Sequence, residues 1–486
     1  MTHDLATLFD PKGIIITGVS SHPGKFGFVT LHNLLASGYE GELFAVGREP
    51  GEVLGRPVLG SIDDVPSGAA DMLFICTPQA VNEELLRSAA AKGVTAAFFA
   101  AAGYREAGPD GVEAERRLIA LADELGIALA GPNGQGVVST PSKMCAQIVA
   151  PYAPAGRIAI ASQSGNFVSA FLNLAHHTGI GISRSVAAGN AAVLGIADYV
   201  EWFADDPETS VSLVYIESVD DGRVLFDRLR PLATRKPIVV LKGGASAAGA
   251  RAAASHTGAL ASDDSVFDGM CRQAGLIRAN DVEEAFDVAA TLATQPLPKG
   301  NRVVVVTTAG GWGVAAVDAM AGTTLTPTPL PDDLMAAIDH MLPPRWSKNN
   351  PIDMAGGETR DTVPEILELT AEHPEVDAIV FLGLGIQSGT AAMMRAAHLY
   401  PDHGLERIVD FHERQDSRYA EAAIEISART GTPIVVATEL ANAHPDNPGP
   451  ATMRANGGMC HTSAGRAIRS LDLLARHAAW RRARDL

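Results

Sequence analysis

His256 has almost nothing to pack against. In AAASHTGALASDD, residues 252–264, it stands between Ser255 and Thr257 in a run of alanine and glycine. Two readings fit: a surface-loop histidine, or a nucleophile, because neutral imidazole predominates near pH 7 and can attack phosphorus. No second histidine or cysteine lies at ligand spacing, so a metal site is not expected. A carboxylate would fix the tautomer of a nucleophilic imidazole. Glu217, ending the apolar run VSLVYIE, is a candidate because ligands gather at the C-terminal edges of parallel sheets. It fits equally a helix N-terminal acid.

Two small-residue turns could receive an anion. ASQSG (161–165) and TTAGGWG (307–313) each end a strand-like run and open a helix-like one. In the first, Gln163, Ser164 and Gly165 would present capping oxygens and backbone N–H groups; in the second, Gly310, Gly311 and Gly313 would do so. Either alone also reads as ordinary turn chemistry. A third turn, GVSSHPGKFG, carries glycines at 18, 24 and 27 ahead of a helical run but lacks the GxGxxG spacing of a dinucleotide fingerprint. At the end of the next strand, VGREP puts Arg48 where an NAD enzyme usually has an acid, which suits a phosphorylated ribose as in coenzyme A or NADP. A tight turn with a surface arginine is the alternative.

Alternating strand and helix patterns must position these residues. GIIITGV, ELFAVG, DMLFICT, TAAFFAA and IALAGPN predict five strands of a first α/β domain, residues 1–138. STPSKMCAQIVAPYAPAG (139–156) loses periodicity, gains proline and reads as a linker. RIAIAS, VSLVYIE and KPIVVLK then predict a second domain, 154–296, and RVVVVTT, VDAIVFLGLG and TPIVVAT a third, 300–486. The matched openings of the second and third suggest an internal duplication. The expected fold is α/β with three parallel-sheet domains, one Rossmann-like and two flavodoxin-like.

Composition bounds the function. Of 486 residues, 47% are apolar and 19% charged, and the net charge of −18 argues against nucleic acid or an anionic membrane as partner. The N-terminus lacks signal-peptide features, no apolar run reaches about 18 residues, and four scattered cysteines read as reduced thiols; the expected location is cytoplasmic.

GPNGQG, SQSG, AAGNAAV, KPIVVLKGG, SHTGALA and NNPIDM follow one another in this order, and from about residue 8 to 480 the chain resembles the α subunit of NDP-forming acyl-CoA synthetases, relatives of succinyl-CoA synthetase. The resemblance implies that His256 is transiently phosphorylated, that Glu217 orients it, and that the 163–165 and 310–313 turns cradle the phosphoryl group. It also implies that coenzyme A is held through Ser20, Ser21, Gly24, Phe26, Gly27 and Arg48, with Cys76, Thr77, Pro78 and Ala102, Gly103, Tyr104 along the pantetheine. It differs from the family pattern at Gly134, Thr308 and Trp312 and at Gly47-Arg48. The implied reaction interconverts acyl-CoA, phosphate and ADP with a carboxylic acid, CoA and ATP. With no P-loop and no room for an ATP-grasp domain, ATP/ADP and Mg2+ are expected on a separate ATP-grasp β subunit in an α2β2 assembly. The rival expectations are a CoA-binding regulatory or scaffold protein without turnover and an NADP-dependent dehydrogenase.

Overall fold

The computed structural model describes residues 5–149, 152–219, 221–246, 248–249, 251, 263–354, 356–357, 359–440 and 446–486. His256 lies outside them. The chain forms two compact units, residues 1–177 with 181–285, and residues 178–180 with 286–486.

The first unit holds two sheets. One comprises β1 (Gly13–Thr17), β2 (Glu42–Val46), β3 (Gly51–Val53), β4 (Arg56–Leu59), β5 (Met72–Ile75), β6 (Ala96–Phe99) and β7 (Ala128–Ala130), in the order β3-β4-β2-β1-β5-β6-β7. Without the antiparallel edge strand β3, the parallel strands run 3-2-1-4-5-6, the Rossmann order. β1, β5 and β6 are buried at every position, as their unbroken apolar runs require for a sheet covered on both faces. The order reverses between β1 and β5, which opens the ligand crevice at their C-terminal ends.

The second sheet comprises β8 (Gly136–Ser139), β9 (Met144–Gln147), β10 (Ala155–Ser162), β11 (Ile182–Ala187), β12 (Val211–Ile216), β13 (Ile238–Lys242) and β14 (Ile277–Ala279), ordered β14-β13-β12-β10-β11-β8-β9. Its five parallel strands follow the flavodoxin order 2-1-3-4-5. The predicted linker is corrected here. Residues 136–147 fold as an antiparallel hairpin that extends this sheet through β11. The four residues between its strands, Thr140–Pro–Ser–Lys143, supply the turn, with Lys143 at φ 53°. Asn33 Nδ2 donates to Gln147 O at 2.8 Å, tying the hairpin to the helix Phe26–Ala36 of the first sheet.

The second unit is built on β15 (Arg302–Thr307), β16 (Thr326–Pro327), β17 (Ile352–Asp353), β18 (Ala378–Leu382), β19 (Ile434–Ala437) and β20 (Cys460–His461). The order β16-β15-β18-β19-β20, with β17 also on β15, repeats the flavodoxin arrangement. The helices Leu405–Thr430 and Ala464–Arg482 cover it.

Asn350, in the NNPIDM segment, acts as a side-chain extension of this sheet. Its Oδ1 accepts from Val305 N at 2.9 Å, and its Nδ2 donates to Val303 O and Thr328 O, both at 2.8 Å. Asn350→Ala strands these partners and is expected to cost about 1–3 kcal/mol. The second unit holds three of the four tryptophans, so a lowered urea midpoint in tryptophan fluorescence checks it.

Candidate active site

The turns expected to hold the cofactor follow four adjacent strands, β2, β1, β5 and β6, and so share one edge of the first sheet. After β1, Gly18 takes φ +72°, Ser20 is half-buried, and Ser21 and Gly24 are exposed. The helix then starts at Phe26, which is exposed; Gly27 is buried, and a Cβ there would meet Gly18 O at 2.5 Å. The helix N-terminus is thereby pressed onto the β1 turn, leaving first-turn amides that no helix carbonyl can satisfy. Arg48 is exposed beyond β2. The preceding Gly47 is required because a side chain there would collide with the carbonyl of Val19.

The Cys76-Thr77-Pro78 turn is tied to β1: Cys76 N donates to Thr17 Oγ1 at 3.3 Å, and the Thr17 and Thr77 hydroxyls lie 3.2 Å apart. It is tied to the Ala102-Gly103-Tyr104 turn through Asn82, which is fully buried. With its amide nitrogen donating to Thr77 Oγ1 and Pro78 O, and its oxygen accepting from the Tyr104 hydroxyl at 3.2 Å, every polar atom of Asn82 is used. Gly103 takes φ +103°, and the Gly103 and Tyr104 amides donate to Glu106 Oε1 at 2.6 and 3.1 Å. Burial alone would raise the Glu106 carboxyl, but donation from Asn190 and these amides holds it below its ordinary range. Burial raises the Tyr104 phenol to about 12.

At the second sheet, Ser162 ends β10 and turns on itself: its hydroxyl donates to Ser164 O at 2.6 Å and accepts from Ser164 N at 3.1 Å. Gln163 N donates to Tyr215 O at 3.2 Å, so the first helix amide beyond these internal bonds is that of Gly165, which opens the helix Gly165–Thr178. Gln135 packs on Gly165 where a side chain would otherwise stand, and its Nε2 donates to Asn166 Oδ1 at 3.1 Å.

The Gln163 side chain organises Glu217. Its Oε1 accepts from Glu217 N at 2.6 Å and Ser218 N at 3.0 Å, and its Nε2 donates to Ser218 O at 3.2 Å. The Tyr215 hydroxyl bonds to the Glu217 carboxylate; burial first, then that charge, holds the phenol well above its ordinary range. Phe167 stacks on Tyr215 with centroids 3.8 Å apart. A Cβ on Gly243 would stand 2.6 Å from Tyr215 Oη and 3.6 Å from Glu217 Cγ, so this glycine keeps the approach to Glu217 clear. Gly243 also starts the segment that leads to His256. The two ends of that segment meet at a charge cluster. Lys242 Nζ lies 3.5 Å from Asp264 Oδ1, and Arg278 Nη2 donates to both Asp264 oxygens at 2.7 and 2.8 Å. Asp263 caps the following helix by accepting from Ser265 N and Val266 N.

The second unit repeats the turn. Thr307 Oγ1 donates to Ala309 O and accepts from Ala309 N, both at 2.9 Å, and Thr308 N donates to Leu382 O. Gly310 and Gly311 open the helix Gly310–Ala319; Gly313 is buried against Thr307 and Pro351. The Asp353 carboxylate packs on Gly310 where a Cβ would stand. Trp312 lies against the apolar cluster of Val303, Val305 and Ala316.

Residues 12–140 match the CoA binding domain family, 155–292 the succinyl-CoA ligase like flavodoxin domain, and 303–399 the Ligase-CoA domain. Over 382 residues, the chain is 36% identical to the α subunit of ADP-forming acetate–CoA ligase I of Pyrococcus furiosus, covering 78% of this chain and 82% of that one. The chain belongs to the ADP-forming acyl-CoA ligases. It is also 34% identical over 373 residues to ADP-forming acetate–CoA ligase I of Archaeoglobus fulgidus, of which it spans 54%. Its fold matches dinucleotide forming acetyl-coenzyme A synthetase 1 of Ca. Korarchaeum cryptofilum, solved with phosphate and ADP, with a TM-score of 0.84, 28% identity and 99% of each chain covered.

Three residues of this ligase escaped the sequence reading as site components: Asn82, Gln135 and Asp353. The first joins two cofactor-side turns; the others pack on the glycines that open the two matched helices. For Asn82 the available signal was an asparagine opening a helix five residues after Thr77; for Gln135 and Asp353 it was their places in GPNGQG and NNPIDM.

Desolvation pushes the Cys76 thiol up to about 12, against about 8.5 when unfolded. The stability this contributes is fully present below about pH 8.5 and is lost as pH rises through about 12. At pH 8 native Cys76 is held as the thiol, not the thiolate nucleophile. Iodoacetamide with peptide mass spectrometry should therefore leave Cys76 unmodified in the native ligase at pH 8 and alkylate it in urea.

Proposed function

We propose that this chain is the acyl- and phosphoryl-transferring α subunit of an ADP-forming acyl-CoA synthetase. Its functional division would be a CoA-binding domain at 1–138, a phosphohistidine domain at 154–296 and a second ligase domain at 300–486. The observation that carries the reading is the Glu217 site. A carboxylate is fixed by the Gln163 clamp and the Tyr215 hydroxyl at a sheet's C-terminal edge, beside the glycine that begins the His256 segment.

In the thioester-cleaving direction, a phosphate oxygen attacks the carbonyl carbon of the acyl-CoA. The C–S bond breaks, CoA leaves as the thiolate, and an acyl phosphate forms. A ring nitrogen of His256 then attacks phosphorus, and the P–O bond to the acyl group breaks, releasing the carboxylate. Glu217 holds the imidazole tautomer and balances the charge that develops on it. A β-phosphate oxygen of ADP finally attacks the phosphohistidine, breaking the P–N bond and giving ATP. Helix N-termini suit the doubly negative phosphoryl group because their N–H groups and dipoles are already aimed. The relative from P. furiosus is named as an α subunit. We infer that ADP and Mg2+ are held by a separate ATP-grasp β subunit, with α2β2 as the working form.

CoA at 100 times its Kd should stabilise the chain by about 2.7 kcal/mol. Thermal shift should respond to CoA; a response to NADP without one to CoA would overturn the cofactor assignment.

Incubation with ATP and the partner subunit, or with an acyl phosphate, should give an acid-labile, base-stable phosphoryl adduct. The His256→Asn variant should lose it. A label that survives in this variant or maps to serine excludes the phosphohistidine route. No label under any condition, with CoA still bound, would favour a CoA-binding scaffold.

A further inference from the structure

A cavity of about 260 Å³ lies within the first unit at the C-terminal edge of the second sheet. Gln163 and Ser218 line it on the Glu217 side, and Arg105 lines it beside the Tyr104 turn. Under the function proposed above, the pantetheine runs along that turn and the phosphoryl chemistry occurs at Glu217. A thioester carbonyl between them would send its acyl tail into this space. Ile196, Ala197, Val219 and Leu225 form its apolar wall, and Val224, 52% exposed, stands at its rim. At about 30 Å³ per water, the cavity takes several water-sized groups and so exceeds what a methyl group needs.

The charges around it are already spent. Among the lining residues the cations are Arg105 and Arg228. Arg228 Nη2 donates to Asp198 Oδ1 at 2.8 Å and to Glu201 Oε2 at 2.7 Å. Arg105 Nε donates to Glu115 Oε1 at 2.5 Å. The two helix N-termini that open onto the cavity each carry a carboxylate already: Asp198 Oδ2 accepts from Gly195 N at 2.7 Å, and Asp221 Oδ1 accepts from Arg223 N and Val224 N. Two guanidinium groups thus face three carboxylates, Asp198, Glu201 and Glu115, with a fourth at Asp221. A second carboxylate on the substrate would meet net negative charge, because each guanidinium it could approach already faces a carboxylate.

We propose that this cavity is the acyl-tail subsite, and that the Arg228–Asp198–Glu201 cluster makes it select an uncharged tail larger than methyl and reject a dicarboxylic acid. The proposal rests on the CoA and Glu217 assignments above, and the experiment separates the two. Isothermal titration of the full chain with CoA, isobutyryl-CoA and succinyl-CoA is the measurement. The wild type should bind isobutyryl-CoA at least tenfold more tightly than succinyl-CoA. Val224→Trp, at an exposed position that tolerates bulk, should weaken isobutyryl-CoA at least tenfold while changing CoA less than twofold. Glu201→Gln, which frees one donor of Arg228, should narrow the gap between the two acyl-CoAs at least fivefold. CoA binding that persists while Val224→Trp leaves isobutyryl-CoA untouched, or weakens CoA equally, would overturn the subsite alone. An unchanged gap in Glu201→Gln would overturn the charge rule. Absence of CoA binding in the wild type would overturn both this proposal and the reading beneath it.

Discussion

The Gln163 side-chain amide is the contact on which the second domain's site depends. One carbonyl oxygen receives two consecutive backbone amides, and the amide nitrogen returns to the carbonyl of Ser218. Each such bond nets only about 1 kcal/mol, but leaving the partners unpaired costs more. The clamp therefore works chiefly by exclusion: any other conformation at 217–218 strands polar groups. It fixes the direction in which the Glu217 carboxylate leaves β12. Ser218 and Gln163 also border the cavity.

The matched turns of the second and third sheets share more than small residues. At Ser162 and at Thr307, a hydroxyl ending the first strand of each flavodoxin-like sheet bonds the residue two positions on through both its N–H and C=O. In each, the intervening residue donates its N–H to the third strand of its sheet. Both helices then open on glycine, and in each a polar side chain, Gln135 or Asp353, packs on that glycine. Together with the common 2-1-3-4-5 strand order, this argues for duplication of one ancestral unit. Divergence shows in the packing partner: a neutral amide in one copy, a carboxylate in the other. An anion beside the second helix N-terminus meets a charge that the first lacks.

Sequence reasoning located the principal strands because buried parallel strands read as continuous apolar runs, as in IVVLK and AIVFL. It missed β11, where ISRSVA interleaves polar residues that are nonetheless all buried. Arg184 is one of them, held by Asp206 and Asp10. No pattern rule anticipates a charge neutralised by residues distant in the chain. The 136–147 hairpin was missed because its strands are four residues long and its turn resembles a connector. Glycine turns and the carboxylate at Glu217 were legible because they lie at strand ends, where topology puts ligands. Asn82 and Gln135 were not, because their roles come from partners elsewhere in the chain, on other turns and on the helix Gly165–Thr178. Gly27 was read as a turn glycine, but the close backbone approach that requires glycine at 27 and 47 was not legible until the carbonyl each one faces was known.

The charge cluster at Lys242, Asp264 and Arg278 joins the two ends of the segment between Gly243 and Asp263. His256 divides that segment unequally, thirteen residues from Gly243 and seven from Asp263. For a tether fixed at both feet, the shorter arm sets the radius. At about 3.4 Å per fully extended residue, seven residues span roughly 24 Å. Under the function proposed above, the His256 backbone could reach no farther than roughly 24 Å from Asp263, and a phosphoryl group only one side chain farther, unless the cap on the following helix let go. On that proposal, the place of one histidine along the chain limits how far away a nucleotide on a second subunit could sit and still be served.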